Sequence, residues 1–124
     1  MKLLLDTHAA LWWLAGDPRV GTDAERQLSD ETNCVFLSAA VIWEVAIKRS
    51  LGKLHAPADL ASTLLGAGAR PLAVTLDHAA AVEGLPWHHR DPFDRLLVAR
   101  AHTEKAAIVS QDDRLRQYGV TLVW

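Results

Sequence analysis

Short apolar runs alternate along this chain with longer stretches in which apolar residues recur every three or four positions. This alternation is typical of an α/β domain built on a parallel sheet. The apolar runs predict five strands, at residues 2–6, 34–37, 71–74, 106–110 and 120–123. The helical stretches predict helices at residues 7–15, 22–30, 39–50, 57–65, 76–83, 92–104 and 112–118. No repeat or long linker separates these elements, so we expect a single domain spanning residues 1–124.

Four carboxylates stand where these elements meet. Asp6 ends the first apolar run, Glu44 lies inside an apolar helix, Asp94 lies in the first turn of another helix, and Asp112 follows the fourth run. An ionised carboxylate beside buried surface needs a partner. Four of them together would repel one another and raise some of their own pKa values. A divalent cation would relieve both effects, so this pattern indicates a metal site if the fold brings the acids together.

Their convergence depends on the order of the strands. Open parallel sheets bind ligands beyond the carboxyl ends of their strands, at the point where the strand order reverses. If the order is 3-2-1-4-5, strands one and four are neighbours, and Asp6 and Asp112 face one crevice. Glu44 then reaches it from the helix after strand two, and Asp94 from the helix before strand four. The residues alone leave this order as an assumption.

Each acid also has a purely structural explanation. Asp91 suits a helix N-cap before Pro92, and Asp94 then favours the helix dipole. Glu44 could pair with Lys48 one turn later on an exposed face, and Asp6 could be a turn residue. The apolar neighbours of Glu44 on both sides argue against a purely solvated glutamate.

Composition narrows the class of protein. Half of the residues are hydrophobic and 23% are charged, as in an ordinary soluble domain, and the net charge is −2. There is therefore no overall basic field to hold a nucleic acid by electrostatics alone. The single cysteine, Cys34, cannot form an internal disulfide, and no apolar run approaches the roughly 20 residues of a membrane span. We expect a soluble, cytoplasmic protein.

The ligand chemistry favours a hard cation. All-oxygen ligands select Mg²⁺ or Mn²⁺ over zinc, and His8, His88 and His89 do not have the spacing of a zinc site. Each histidine is more simply read as satisfied or solvent-facing, although His88 or His89 could contact a substrate. Because Mg²⁺ keeps most of its waters, we expect Asp6 and Asp94 to bind it directly and Asp112 directly or through water. Glu44 is expected to hold a water on the ion or a second ion.

Four segments, LLLDTHAALWWL, SAAVIWEVAIK, HRDPFDRLLVARA and IVSQDDRLRQYGV, resemble in order and spacing the PIN-domain ribonucleases. The match is nearest to the VapC-type toxins of bacterial toxin–antitoxin pairs, and it covers nearly the whole chain. The resemblance implies a PIN-like three-layer α/β/α fold with a five-stranded parallel sheet in the order 3-2-1-4-5. It places the catalytic acids at Asp6, Glu44, Asp94 and Asp112, with Asp112 favoured over Asp113 by register. Secondary site candidates are Thr7, Asp91 and Ser110.

The resemblance also implies an activity and partners. It indicates an Mg²⁺- or Mn²⁺-dependent endoribonuclease that hydrolyses RNA phosphodiesters and leaves a 5′-phosphate and a 3′-hydroxyl. It implies a homodimer and a cognate antitoxin whose C-terminal segment lies across the active-site groove. Several basic side chains are candidates for steering the RNA backbone, although each could equally be an ordinary surface charge. They are Lys48, Arg49, Arg90, Arg95, Arg100 and Arg114.

Two other classes of protein compete with this interpretation. A catalytically silent PIN-fold module that binds RNA or protein would be expected to lack one or more of the acids, and none is missing here. An acid-cluster phosphatase or a phosphoacceptor receiver usually has paired acids after the first strand, whereas this chain has Asp6, Thr7 and His8. The tryptophans give a further expectation. Core filling is the simplest role for Trp43, and of adjacent Trp12 and Trp13 one should lie at an interface.

Overall fold

Five parallel strands form the centre of the computed structural model, which describes residues 1–124. The strands are β1 (Lys2–Leu5), β2 (Cys34–Ser38), β3 (Arg70–Leu72), β4 (Ala107–Val109) and β5 (Leu122–Val123). Their order in the sheet is β3-β2-β1-β4-β5. The α/β fold class and the strand order that the family resemblance implied are both confirmed. Pro71 lies inside β3, where a missing N–H is tolerated because this is an edge strand.

Helices cover both faces of this sheet. They are α1 (Thr7–Ala15), α2 (Thr22–Ser29), α3 (Ala39–Ser50), α4 (Leu60–Gly66), α5 (Leu76–Ala81) and α6 (Pro92–Glu104). Alternation along β1 divides the core, because successive strand side chains point to opposite faces. Leu3 and Leu5 join the cluster beneath α1 to α4, whereas Leu4 joins the cluster beneath α6. The result is three layers with β1 and β4 at the centre.

Several predicted boundaries differ from the structure. The helix predicted over residues 57–65 begins only at Leu60, because the preceding residues form a turn closed by the Leu60 N–H to the Pro57 carbonyl. The segment predicted as a helix over residues 112–118 is a short 3₁₀ helix, Asp113–Tyr118, which Gly119 ends in a left-handed conformation. A second 3₁₀ turn, Val82–Gly84, continues α5. None of the helices combines the length and apolar character needed to cross a membrane.

The tryptophans are placed differently from the core-filling expectation. Trp43 is 60% exposed, and its ring packs edge-on against Phe93 with the centroids 5.2 Å apart. The core-filling role predicted for Trp43 is therefore wrong, because it lies on the outward face of α3. Trp13 packs against the core, whereas Trp12 is covered within the chain by the Arg19 guanidinium, 4.4 Å from its ring centre.

Candidate metal centre

Asp6 occupies the turn that joins β1 to α1. Its backbone N–H donates to the Val109 carbonyl (3.1 Å), which holds the carboxyl ends of β1 and β4 side by side. Its carboxylate caps α1 by accepting from the Ala9 N–H at 2.7 Å. Burial raises the pKa of Asp6, and hydrogen bonds from the Ser110 hydroxyl and the Ala9 N–H oppose that rise. Asp6 is thus a largely buried acid held at the switch point of the sheet.

Glu44 forms the ion pair with Lys48 that the sequence allowed, and it is also a buried acid of the cleft. It does pair with Lys48, whose Nζ lies 2.6 Å from one carboxylate oxygen. The face of α3 that carries it is not open to solvent, however, because Glu44 is only 9% exposed. The Thr7 hydroxyl donates to the other oxygen at 2.5 Å. Thr7 and Lys48 therefore hold the Glu44 carboxylate from two sides at the wall of the cleft.

The start of α6 supplies two further acids. Asp91 is the N-cap of α6 and accepts from the N–H groups of Phe93 (2.8 Å) and Asp94 (3.2 Å), so its structural role is established. Asp94, in the first turn of α6, lines the cleft. Burial and the neighbouring charge of Asp91 raise the pKa of Asp94 to about 6, and Glu44 and Asp112 add to that rise.

Asp112 follows β4 and caps the 3₁₀ helix. Its N–H donates to the Ser110 hydroxyl oxygen at 3.0 Å, which connects it to the Ser110–Asp6 contact. Arg114 donates to both carboxylate oxygens, at 2.9 and 2.8 Å, and these bonds hold the pKa of Asp112 below its usual range. The side chain of Asp113 is 86% exposed and pairs with Arg116 instead. Asp112 is therefore the residue of this pair that Ser110 and Arg114 hold in place, whereas Asp113 points largely into solvent.

These side chains share one cleft of ≈ 420 Å³ whose lining contains no hydrophobic residue. Asp6, Glu44, Asp94 and Asp112 all line it. Further lining residues are Thr7, His8, Lys48, Asp91, Gln111, Asp113 and Arg114. The donor set is rich in carboxylate oxygens, and burial raises the pKa of both Asp6 and Asp94, so the charged form of each acid is disfavoured in the cleft. The residues present therefore fit a hard divalent cation, because a positive charge between them would remove that cost.

Two of the predicted RNA-contacting arginines are placed elsewhere. Arg95 is 2% exposed and Arg100 is 0% exposed, so neither guanidinium can reach an RNA backbone. Arg100 donates instead to the carbonyls of Leu72 (2.8 Å) and Ala73 (3.1 Å). These two assignments were wrong because each guanidinium turns inward and donates to backbone carbonyls of the protein itself.

The other four basic candidates lie at or near the surface. Arg49 and Arg90 are exposed and make no ion pair. Lys48 and Arg114 lie on the rim of the cleft but are already paired with Glu44 and Asp112.

Sequence reasoning missed the position of His89. The Nε2 atom of His89 lies 3.2 Å from Asp94 Oδ2 and 3.7 Å from Asp112 Oδ2. One ligand-type atom from each of these three residues lies within 4.8 Å of the other two. A signal was available, because His89 stands only two residues before the N-cap Asp91, and so short a connection keeps its ring near the start of α6.

The pKa of Asp94 gives a stability prediction for the protein without divalent ions. The folded-state pKa of about 6 exceeds the ordinary value of 3.8, so ionised Asp94 destabilises the fold above pH 6, and this cost disappears as the pH falls to 4. The two-unit difference corresponds to about 3 kcal/mol. Because the side chain is 31% exposed, solvent screening reduces this to about 1 kcal/mol.

Asp94→Asn should therefore raise the free energy of unfolding by about 1 kcal/mol at pH 8 in EDTA and by nothing at pH 4. Urea unfolding at the two pH values measures both. The control is Asp113→Asn, which alters the exposed neighbouring acid and should change neither value. An Asp94→Asn protein that is less stable than the wild type at pH 8 would contradict the prediction.

Two sequence comparisons with known proteins point to the same family. The sequence model of the PIN domain matches residues 3–120. Over 120 residues the chain is 30% identical to Ribonuclease VapC22 of Mycobacterium tuberculosis, covering 94% of this chain and 91% of that protein.

Solved structures have the same fold. VapBC2 from Rickettsia felis, bound to a DNA fragment from its promoter, has a TM-score of 0.72 at 14% identity and covers 98% of this chain and 97% of that chain. VapBC-1 from nontypeable Haemophilus influenzae has a TM-score of 0.66 at 16% identity, with coverage of 98% and 96%. At these identities the likeness concerns the fold alone.

Proposed function

The chain belongs to the PIN-domain family, and on that basis we propose that it is a divalent-metal-dependent endoribonuclease, the toxin of a toxin–antitoxin pair. The observation that carries the proposal is the convergence of Asp6, Glu44, Asp94 and Asp112 on one polar cleft at the carboxyl edge of the sheet. The relative that aligns over most of the chain is named a ribonuclease, which supports RNA as the substrate.

Asp6 and Asp94 would hold the ion directly, with Asp112 bound directly or through water, and Mg²⁺ or Mn²⁺ suits these oxygen ligands. When bound, such a cation lowers the pKa of an attacking water and offsets negative charge on the scissile phosphate. The protein supplies a fixed arrangement of acids around that point, and the reaction needs no covalent intermediate.

The remaining side chains orient these groups. Thr7 fixes one Glu44 oxygen, so the carboxylate presents a defined edge to the cleft, where it would orient a water or a second ion. Ser110 contacts both Asp6 and the backbone of Asp112 and thereby couples the two strand ends. Exposed Arg49 and Arg90 are left to contact the RNA backbone, a role that positions the substrate and does not read its sequence.

The partners follow from the same family. Several solved neighbours are toxin–antitoxin complexes, which supports an antitoxin protein as the partner of this chain. A homodimer in the cytoplasm completes the proposal. Light scattering after size exclusion tests the dimer, and a monomer at micromolar concentration would contradict it.

Cleavage of a structured RNA by the purified protein tests the proposed reaction. We expect cleavage in Mg²⁺ or Mn²⁺ and no cleavage in EDTA. If water attacks the phosphorus and the 3′-oxygen leaves, as the family resemblance implies, the products carry a 5′-phosphate and a 3′-hydroxyl. A 5′-phosphate-dependent exonuclease should therefore degrade the downstream product. Undiminished cleavage in EDTA, or products ending in a 2′,3′-cyclic phosphate, would overturn the metal-dependent mechanism, since the cyclic end requires attack by the RNA's own 2′-hydroxyl.

A further inference from the structure

His89 lies between two of the cleft acids, although it precedes both in the sequence. Its Nε2 atom is 3.2 Å from Asp94 Oδ2 and 3.7 Å from Asp112 Oδ2, and its side chain is only 10% exposed. The Nε2 atom is buried and makes no hydrogen bond to either carboxylate. This ring nitrogen thus faces two carboxylates assigned to the proposed metal site.

The opposite ring nitrogen determines what Nε2 can do. The Asp91 backbone N–H donates to His89 Nδ1 at 3.1 Å. A backbone N–H is always a donor, so Nδ1 must be the accepting nitrogen, and the neutral ring carries its proton on Nε2. A histidine that ligates a metal through Nε2 needs a lone pair there and usually donates from Nδ1. Such a ring would place an Nδ1–H against the Asp91 N–H, so the geometry favours a donor over a ligand.

The backbone around this ring is fixed at both ends. The His89 N–H donates to the Tyr118 hydroxyl oxygen at 2.8 Å, and the His89 carbonyl accepts from Arg95 Nη1 at 3.4 Å. Tyr118 and Arg95 are themselves buried. The imidazole therefore has little freedom to leave the space between Asp94 and Asp112.

We propose that His89 is a positioning residue that keeps the Asp94 and Asp112 carboxylates together through its Nε2–H, without itself ligating the ion. This inference rests on the proposed function. The polarised N–H places a partial positive charge between two like charges from different elements, α6 and the segment after β4. Without it the two acids would repel each other across the cleft, and the ion would lose affinity through their separation.

Two substitutions separate this role from a structural one. Asn places an acceptor near the position of Nδ1, where it can keep the bond from the Asp91 N–H, but it has no donor that reaches the acids. Gln is longer and can bring an amide N–H close to the position of Nε2. We expect His89→Asn to weaken Mn²⁺ binding by roughly tenfold or more, the usual effect of losing a group that orients metal ligands. His89→Gln should restore most of the affinity.

Isothermal titration calorimetry of the full chain with Mn²⁺ measures the affinity of each variant, and the melting temperature in EDTA reports on its folding. The matched control is His88→Asn, which changes the exposed neighbouring histidine and should leave Mn²⁺ affinity unaltered. Wild-type affinity in a folded His89→Asn protein would overturn the inference alone. Equal losses in the Asn and Gln variants, when both melt like the wild type, would also overturn it by indicating a ligand. A wild-type protein that neither binds Mn²⁺ nor cleaves RNA would overturn the proposed function, and this inference with it.

Discussion

Replacing Asp6 with asparagine is expected to lower the rate of RNA cleavage by about 10²–10³-fold, the range for removing one charge-stabilising group from an active site. Asn keeps the shape of Asp6 and is an equally good helix N-cap, so the bond to the Ala9 N–H should survive. What is lost is the negative charge at the carboxyl end of β1. Because burial raises the pKa of Asp6, removing that charge should not destabilise the protein in EDTA.

The effect of Asp6→Asn can therefore be separated from a folding defect. Initial rates with saturating Mg²⁺ give the loss in catalysis, and thermal unfolding in EDTA gives the stability of the same sample. Asp113→Asn is the matched control, because Asp113 lines the same cleft but is mostly exposed and paired with Arg116. It should cleave at close to the wild-type rate. An Asp6→Asn protein with undiminished activity would remove Asp6 from the metal site.

Arg95→Ala is expected to cost about 3 kcal/mol of unfolding free energy, the largest structural effect of any single substitution considered. The Arg95 guanidinium stabilises the connection between α5 and α6, because it donates to four backbone carbonyls of that connection. These belong to Pro86 (2.8 Å), Val82 (3.2 Å), Leu85 (3.3 Å) and His89 (3.4 Å). It also stacks on the Trp87 ring, 3.7 Å from its centre. Hydrogen bonds from a charged group contribute roughly 1.5–3 kcal/mol, and several are lost together here.

Urea unfolding in EDTA measures this cost. Arg95→Lys keeps the charge but not the forked donors, so we expect it to recover only part of the loss. Arg90→Ala removes an exposed arginine from the same segment and should change stability by less than about 0.5 kcal/mol. If Arg95→Ala were as stable as Arg90→Ala, the guanidinium would not be what fixes this connection.

Much of the fold could be predicted because the apolar pattern of each segment matches the position that the segment takes in the sheet. The apolar runs located β1 to β5 to within a few residues, and Asp91 caps α6 where the sequence placed it. The strand order came from the family resemblance, since no local pattern states which strands are neighbours. Once the order is known, the meeting of Asp6 and Asp112 follows from the geometry of parallel strands alone.

The side-chain directions could not be predicted in the same way. Arginine is usually a surface residue, but Arg95 and Arg100 are buried because their guanidinium groups donate to backbone carbonyls of other segments. Trp43 has the large apolar side chain of a core residue but lies on the outward face of α3. Which of Asp112 and Asp113 is held in place by Ser110 and Arg114 depended on one backbone step after β4. Such outcomes are set by tertiary contacts, which override residue preference.

The ion pairs of Lys48 with Glu44 and of Arg114 with Asp112 have a thermodynamic consequence under the proposed function. Each cation neutralises an acid of the cleft and is thereby withheld from a phosphate. A divalent ion on the carboxylates competes with both pairs and frees the two cations for RNA, while bound RNA draws them away from the acids. Binding of the ion and binding of RNA are then cooperative. The bound ion raises the affinity for RNA by the same factor by which bound RNA raises the affinity for the ion.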